Sequence, residues 1–193
     1  MTLYPLASGI GESPLSGLPA LRHCTSRRIS SYDRSGGNDD RLHIQPGETA
    51  TLAQIAGAGC IKHIWVTIAC EEADFLRKVV LRAWWDSESE PSVEVPIGDF
   101  FGMGHAQTRN FVSLPLQMSP QDGKGFNAFF PMPFAEGAHL AVTSECTEKE
   151  VLFYYYVDYQ LYETAPLRVG RFHAQWRRQN PCDGIADEDM SNE

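Results

Sequence analysis

Short runs rich in apolar residues, most of them separated by turn-forming residues, dominate the chain from Leu42 onward. The clearest run, 77–85, alternates between two faces, and one of these faces carries Val79, Leu81, Ala83 and Trp85. We predict about ten strands on this pattern, which are His43–Gln45, Thr49–Ile55, Cys60–Ala69, Arg77–Trp85, Val93–Pro96, Phe111–Leu116, Phe126–Phe130, His139–Ser144, Val151–Leu161 and a further Arg171–Arg178. Repeated short strands without a long amphipathic helix indicate an antiparallel sandwich, jelly roll or barrel.

The strands predict one domain over residues 24–181, flanked by two segments of different composition. Residues 1–23 are rich in Gly, Pro, Ser and Leu without a clean period, and we expect an extended N-terminal arm. Residues 24–41 are polar and contain Gly36-Gly37-Asn38, so we expect a loop. Residues 182–193 hold five acids and no base, which predicts an acidic flexible tail or a truncated linker.

The composition excludes several functional classes. Apolar residues make up 42% of the 193 residues and the formal net charge is −9, which disfavours nucleic acid and anionic membranes as partners. No run reaches the roughly 18 apolar residues of a membrane span. The chain lacks a basic region leading into a hydrophobic core, so we expect a cytoplasmic protein.

The cysteines and histidines do not predict a cofactor. The five cysteines are widely spaced without a CxxC pair, which favours reduced or buried thiols over disulfides or a metal site. The six histidines lack metal-ligand spacing. GAGCIK and GMGHAQ both lack the third glycine of a dinucleotide-binding fingerprint. We therefore predict no metal and no cofactor.

The polar segment 30–40 is the first candidate site. It concentrates hydroxyls, carboxylates, an amide, an arginine and an aromatic ring, the side chains that bind vicinal sugar hydroxyls and sugar C–H groups. The residues that we expect to bind substrate there are Tyr32, Asp33, Asn38 and Asp39. The alternative is a solvated turn.

Segment 98–105, Gly-Asp-Phe-Phe-Gly-Met-Gly-His, is the second candidate. Its glycines allow Asp99 and Phe101 to project from a tight loop as substrate-binding residues. The alternative is that the two aromatic residues plug the core beside a strand end.

Segment 171–181 is the third candidate and concentrates arginine in an acidic protein. As a strand it places Phe172, Ala174 and Trp176 on one face, with His173, Gln175 and Arg177 opposite. We expect His173, Trp176 and Arg178 to bind substrate. The alternative is an edge strand protected by charge. The aromatic run Phe153–Tyr159 is instead predicted to be a central strand covered on both faces.

These same segments carry a resemblance to a known family. The motifs, in order, are SRRISSYDRSGGNDD, PGETATLAQIAGAGCIKHIW, LRAWWD, PSVEVPIGDFFGMGH, FNAFFPMPF, FYYYVDYQ and FHAQWRRQNP. Together they resemble glycoside hydrolase family 172, from about Ser26 to Pro181.

The resemblance implies two consecutive jelly rolls, assembled into trimers or larger oligomers such as hexamers. It also implies retaining enzymes that act on fructofuranosides, arabinofuranosides or difructose dianhydride with two glutamates, one nucleophile and one acid/base. Both glutamates are expected after the HAQWRR segment, and this chain ends soon after it. Nothing here matches the motifs that carry them, so no catalytic residue is assigned.

Two hypotheses follow. In the first, the chain is the N-terminal jelly roll of a furanoside-acting glycoside hydrolase and is inactive alone. Its ligand is then a furanoside-containing carbohydrate, and its partner is a second jelly-roll half or further copies of itself. In the second, it is a non-catalytic carbohydrate-binding or oligomer-forming jelly-roll module. The sequence leaves open whether this polypeptide is an enzyme.

Overall fold

The computed structural model describes residues 21–119, 124–165 and 168–181. In these ranges the alternating runs form strands. The strands are β1 Thr25–Ser30, β2 Leu42–Ile44, β3 Thr49–Ala56, β4 Gly59–Ala69, β5 Val79–Trp85, β6 Val93–Pro96, β7 Phe111–Val112, β8 Leu116–Met118, β9 Phe126–Ala128, β10 Met132–Phe134, β11 Gly137–Ser144, β12 Val151–Leu161 and β13 Ala174–Gln175. The helical elements are α1 Phe75–Lys78, α2 Ile97–Phe100 and a 3₁₀ turn at Gly104–Ala106.

Two sheets pack face to face as a jelly roll. Their central strands follow the orders β2-β12-β4-β9 and β3-β11-β5-β6, which is the strand order of a jelly roll. Strands β1, β7, β8 and β10 enlarge the first sheet to eight strands, and β13 makes the second five-stranded. The predicted all-β antiparallel jelly roll is confirmed, and among the described pairings only β13 and β6 run parallel.

The core lies between the two sheets. In β5, Leu81, Ala83 and Trp85 are buried whereas Arg82 and Trp84 are half-buried on the outer face, as the alternation predicts. The same period of two in β12 sends Phe153 into the core and leaves Tyr156 37% exposed. The prediction that this aromatic strand is central is confirmed, but the prediction that both of its faces are covered is wrong.

Several boundaries differ from the prediction. The expected loop 24–41 begins with strand β1, which pairs with β12 and is fastened by a bidentate ion pair between Arg28 and Asp158 at 2.6 and 2.9 Å. Arg77 and Lys78 belong to α1 rather than to β5, and the run 111–116 breaks into β7 and β8. Strand β10, paired with β4, was missed.

Most of the predicted arm and all of the predicted tail lie outside the described residues, which leave out 1–20 and 182–193. Within the described residues, Cys24, Cys60, Cys70 and Cys146 are free thiols, as expected for those four positions. Cys182 lies outside the described part of the chain.

Glu72 joins the connection after β4 to the turn after β11. Its carboxylate, only 8% exposed, contacts Lys78 Nζ at 2.7 Å. It also accepts hydrogen bonds from the backbone N–H groups of Thr147 at 3.0 Å, Glu148 at 2.9 Å and Lys149 at 3.2 Å. The hydrogen bond from Lys78 is the largest cause that lowers the pKa of Glu72 from 4.5 to about 2, and the backbone donors add to it.

We predict that Glu72→Gln reduces the pH dependence of stability on the acid side. The folded-state pKa is depressed, so the stabilisation from Glu72 is fully present above about pH 4.5 and is lost as pH falls through about 2. Urea unfolding midpoints measured across this range should fall less steeply with acid in the variant than in the parent. Glu71→Gln, at a side chain 85% exposed, is the matched control and should keep the parent slope. Parallel slopes for parent and Glu72→Gln would contradict the assignment.

Candidate functional site

A cleft of about 810 Å³ opens on the outer face of the five-stranded sheet. Its floor is formed by outward side chains of β5 and β6, chiefly Arg82 and Glu94. One wall is the segment from Trp176 to Asn180, with Arg77 of α1 packed on Trp176, and His105 of the 3₁₀ turn also lines the cleft. Residues far apart in the sequence therefore share one concave surface.

Arg82 organises the floor of the cleft. Its Nε lies 2.8 Å from Glu94 Oε1, and a terminal nitrogen donates to Thr143 Oγ1 at 2.8 Å. The other terminal nitrogen lies 3.8 Å from Glu145 Oε1. The two glutamate side chains remain 44% and 56% exposed, so their oxygens can also accept hydrogen bonds from a ligand.

Arg77, Asp99 and Trp176 form a layered wall. Arg77 Nε and Asp99 Oδ2 meet at 2.6 Å as an ion pair whose two atoms are shielded from solvent. The Arg77 guanidinium carbon lies 5.2 Å from the centre of the Trp176 ring, within cation–π distance. Asp99 is therefore a positioning residue, which fixes the arginine that packs on the tryptophan.

The C-terminal wall is held to the sandwich at the end of β5. Arg171 Nε lies 2.5 Å from Asp86 Oδ2, and Trp85 Nε1 donates to the carbonyl of Phe172 at 2.7 Å. The Phe172 ring packs 5.2 Å from that of Phe130. These contacts hold the chain in place just before β13. The pairing of β13 with β6 then places Trp176 beside the cleft floor.

Asp86 is well suited to this task because its carboxylate has partners on both sides. Oδ1 accepts backbone hydrogen bonds from Ala135 and Glu136, each at 2.7 Å, while Oδ2 faces Arg171. Burial opposes ionisation, but these backbone donors and Arg171 outweigh it, so the pKa of Asp86 is lowered.

Trp176 and Arg178, both predicted as binding residues, line the cleft. The predicted alternation of the third segment is confirmed, because Phe172, Ala174 and Trp176 pack against the core. His173 points the other way, is exposed and does not line the cleft. Strand structure covers only Ala174–Gln175, at the edge of its sheet.

The structure places Phe101, a predicted substrate-binding residue, away from the cleft. Its side chain is 0% exposed and lies in the core, with its ring centre 5.6 Å from that of Phe126. The glycines of segment 98–105 allow the chain to turn back on itself, and the aromatic ring fills the space beside the strand ends.

The first candidate segment lies elsewhere, at the edge of the eight-stranded sheet where β1 and β2 flank β12. Asp33 accepts hydrogen bonds from the backbone and hydroxyl of Ser35 at 2.9 and 2.6 Å, which lower its pKa. Asp39 contacts Arg41 at 2.5 Å and His43 at 3.1 Å, and the hydrogen bond from Arg41 lowers its pKa most. These carboxylates thus hold their own loop together.

Tyr32 and Asn38 accompany this loop. Tyr32 is 58% exposed with Arg34 5.7 Å from its ring centre, and Asn38 is exposed at the turn. The structure does not bring either residue to the cleft, which lies on the other sheet. The four predicted residues of this segment therefore form a separate surface.

The sequence did not assign several residues of the cleft to a binding site, among them Arg77, Arg82 and Glu94. The alternation placed Arg82 on the outer face of β5, but outward charges are common on solvated strands. Only the pairing of β5 with β6, which sets Arg82 opposite Glu94, shows that the two charges meet.

In residues 21–119, 124–165 and 168–181 no helix is long and apolar enough to span a membrane. Likewise, these ranges contain no group of three or more His, Cys, Asp or Glu side chains that could hold a metal ion.

The fold and the cleft define a jelly-roll domain with an open, polar cleft on the outer face of one sheet. The family comparison is more specific, because the family model described as GH172 domain-like matches residues 37–152, more than half of the chain. The chain belongs to this glycoside hydrolase family. No curated protein matches it. The matched range includes the floor of the cleft, Arg77 and Asp99, whereas Trp176 and Arg178 lie beyond it.

We predict that Asp86→Asn loosens the C-terminal wall while the sandwich stays folded. The amide keeps an oxygen for the backbone donors but loses the ion pair with Arg171. The amides of Ala174 and Trp176, which bond to the carbonyls of Ser92 and Glu94, report on the wall. Their hydrogen exchange should accelerate roughly tenfold, which corresponds to about 1.4 kcal/mol.

Glu136→Gln is the matched control, because Glu136 is an exposed neighbour of Asp86 that contacts it only through its backbone. Exchange in β12 should be unchanged in both variants. Equal acceleration in β12 and β13 would show that Asp86 stabilises the whole sandwich and not this wall.

Proposed function

We propose that the cleft binds a furanoside-containing carbohydrate, and that the domain serves a family-172-like hydrolase as a substrate-binding jelly roll. One observation carries the proposal: an aromatic ring, Trp176, lines a single cleft together with the arginine and glutamate side chains of its floor. Planar polar groups bind pairs of hydroxyls, and an aromatic face packs on sugar C–H groups. Family membership makes a carbohydrate the favoured ligand.

The charges of the cleft also suit an uncharged sugar. Arg82 contacts Glu94 and Glu145, and Arg77 contacts Asp99. With Asp74, Arg177 and Arg178 included, the lining carries four arginines and three carboxylates, so the cleft offers hydrogen-bonding groups of both signs.

The same ion pairs favour binding over catalysis for Glu94 and Glu145, and a positioning role for Asp99. A retaining hydrolase needs two carboxyl groups about 5–5.5 Å apart, one of which donates a proton to the leaving group. Glu94, Glu145 and Asp99 are each engaged with an arginine. We therefore expect that hydrolysis requires carboxyl groups other than these three.

We predict that Arg178→Ala weakens binding of an arabinofuranose or fructofuranose oligosaccharide, measured by isothermal titration calorimetry. Loss of a hydrogen bond from a charged donor costs about 1.5–3 kcal/mol, or roughly tenfold or more in Kd. Asp39→Asn, on the other sheet, is the control and should keep the parent affinity. If Asp39→Asn weakens binding and Arg178→Ala does not, the sugar site lies in the loop 30–40 and the assignment of the cleft is wrong.

A glucopyranose oligosaccharide tests the sugar class in the same titrations, and we expect it not to bind.

Incubation of the bound furanoside with the chain should release no reducing sugar. Turnover that survives replacement of Glu94, Glu145 and Asp99 by their amides would leave the binding role intact. Turnover that is abolished by one of these replacements would overturn the assignment of that carboxylate to a non-catalytic role.

A second candidate role, formation of a homo-oligomer, is favoured by an apolar surface at the β7–β8 edge. Val112 is 76% exposed, Leu114 71% and Phe129 43%, which is unusual for neighbouring large apolar side chains. The backbone N–H of Phe129 donates to the carbonyl of Pro115 at 2.8 Å, so these residues lie close together.

We predict that the chain self-associates through this edge and that Leu114→Ser shifts sedimentation towards the monomer. Val169→Ser, at a residue 41% exposed outside this edge, is the control and should leave the association unchanged. A parent chain that sediments as a monomer at high concentration would refute self-association.

A further inference from the structure

A second cleft, of about 460 Å³, lies on the same outer face of the five-stranded sheet. The side chains that matter to its chemistry are Gln54, Trp84, Ser87, Glu88, Glu136 and His139. None of them was singled out as a binding residue by the sequence, and none lines the first cleft.

The strand register builds this cleft around one row of side chains. His139 on β11 pairs with Gln54 on β3 and with Trp84 on β5. The rings of Trp84 and His139 stack with centres 4.9 Å apart and planes 19° apart. An amide, an imidazole and an indole thus stand side by side across three strands.

The two clefts follow one another along β5. Arg82 belongs to the floor of the first cleft and Trp84 to the second. Both face outward, two residues apart, which is about 7 Å along a strand. A ligand that extends from the first cleft along β5 therefore reaches Trp84 next.

The charge of the second cleft indicates which chemical groups such a ligand carries. Among the described residues that line it, Glu88 and Glu136 are acidic and none is Lys or Arg. An anionic ligand would be repelled by these carboxylates. Hydroxyl groups suit the available amide, carboxylate and hydroxyl partners, and the indole face suits the C–H groups of a sugar ring.

We propose that the second cleft is a subsite for the distal residues of an uncharged oligosaccharide whose first residue occupies the cleft at Trp176. This rests on the proposed carbohydrate-binding function and extends it: the preferred ligand is a furanose oligosaccharide of several residues, not a disaccharide. Trp84 and Gln54 are the specificity-determining residues for chain length.

The test compares an arabinofuranose disaccharide with the corresponding pentasaccharide by titration calorimetry on the full chain. We expect the pentasaccharide to bind the parent at least tenfold more tightly. Trp84→Ala should remove this gain and leave the affinity for the disaccharide unchanged. Gln54→Ala keeps the stacked rings, so a reduced gain in this variant cannot come from disruption of the Trp84–His139 pair.

Trp65→Ala is the matched control. Trp65 stacks on Tyr156 with ring centres 4.6 Å apart, in the same cross-strand arrangement, but on the outer face of the eight-stranded sheet. This variant should keep the full gain with chain length.

The outcomes separate the two proposals. Equal affinity of the parent for both ligands, or a pentasaccharide gain that survives both Trp84→Ala and Gln54→Ala, overturns the second subsite and leaves the first cleft standing. A gain lost in Trp65→Ala instead places the distal residues on the other sheet and also overturns it. Absence of binding at every chain length overturns both proposals.

Discussion

The period of two along β5 is the constraint on which the two clefts depend. Leu81, Ala83 and Trp85 fill the core. Because successive side chains of a strand point to opposite faces, Arg82 and Trp84 face outward. A shift of one residue would bury an arginine and expose the largest side chain of the core. The hydrophobic effect that orders the sandwich therefore also fixes the positions of the polar and aromatic groups on its surface. The same strand contributes to both clefts for this reason.

The end of β5 extends this control to the C-terminal segment. Trp85 is a core residue whose ring nitrogen still needs a hydrogen-bond acceptor, and the carbonyl of Phe172 supplies it. Asp86 follows directly, with backbone donors on one oxygen and Arg171 on the other. Two consecutive residues thus join the core to the wall of the first cleft. The ion pair of Arg77 with Asp99 supports the same wall where Arg77 packs on Trp176.

The sequence was sufficient to predict most strands of the two sheets, but it indicated only some residues of the candidate site. Strands such as β6 and β12 were predicted to the residue because their apolar patterns are bounded by turns. Strand β1 was missed because its exposed polar residues gain their order from β12, which lies about 130 residues further on. Trp176 and Arg178 were found through composition, an arginine-rich run in an acidic chain. Arg77, Arg82 and Glu94 were missed because their significance depends on which strands become neighbours. The loop 30–40 lies apart from the cleft, and its polar groups bind one another.

Strand β13 has a kinetic consequence. It pairs with β6 over only two residues, and the partners are about 80 positions apart along the chain. Closing so long a loop for so few backbone hydrogen bonds is entropically costly, so we expect this pairing to form late in folding and to open early. The wall that carries Trp176 is therefore the part of the first cleft whose order responds most to an occupant. A ligand bound as proposed, in contact with both this wall and the floor, would add the binding energy that the short strand lacks.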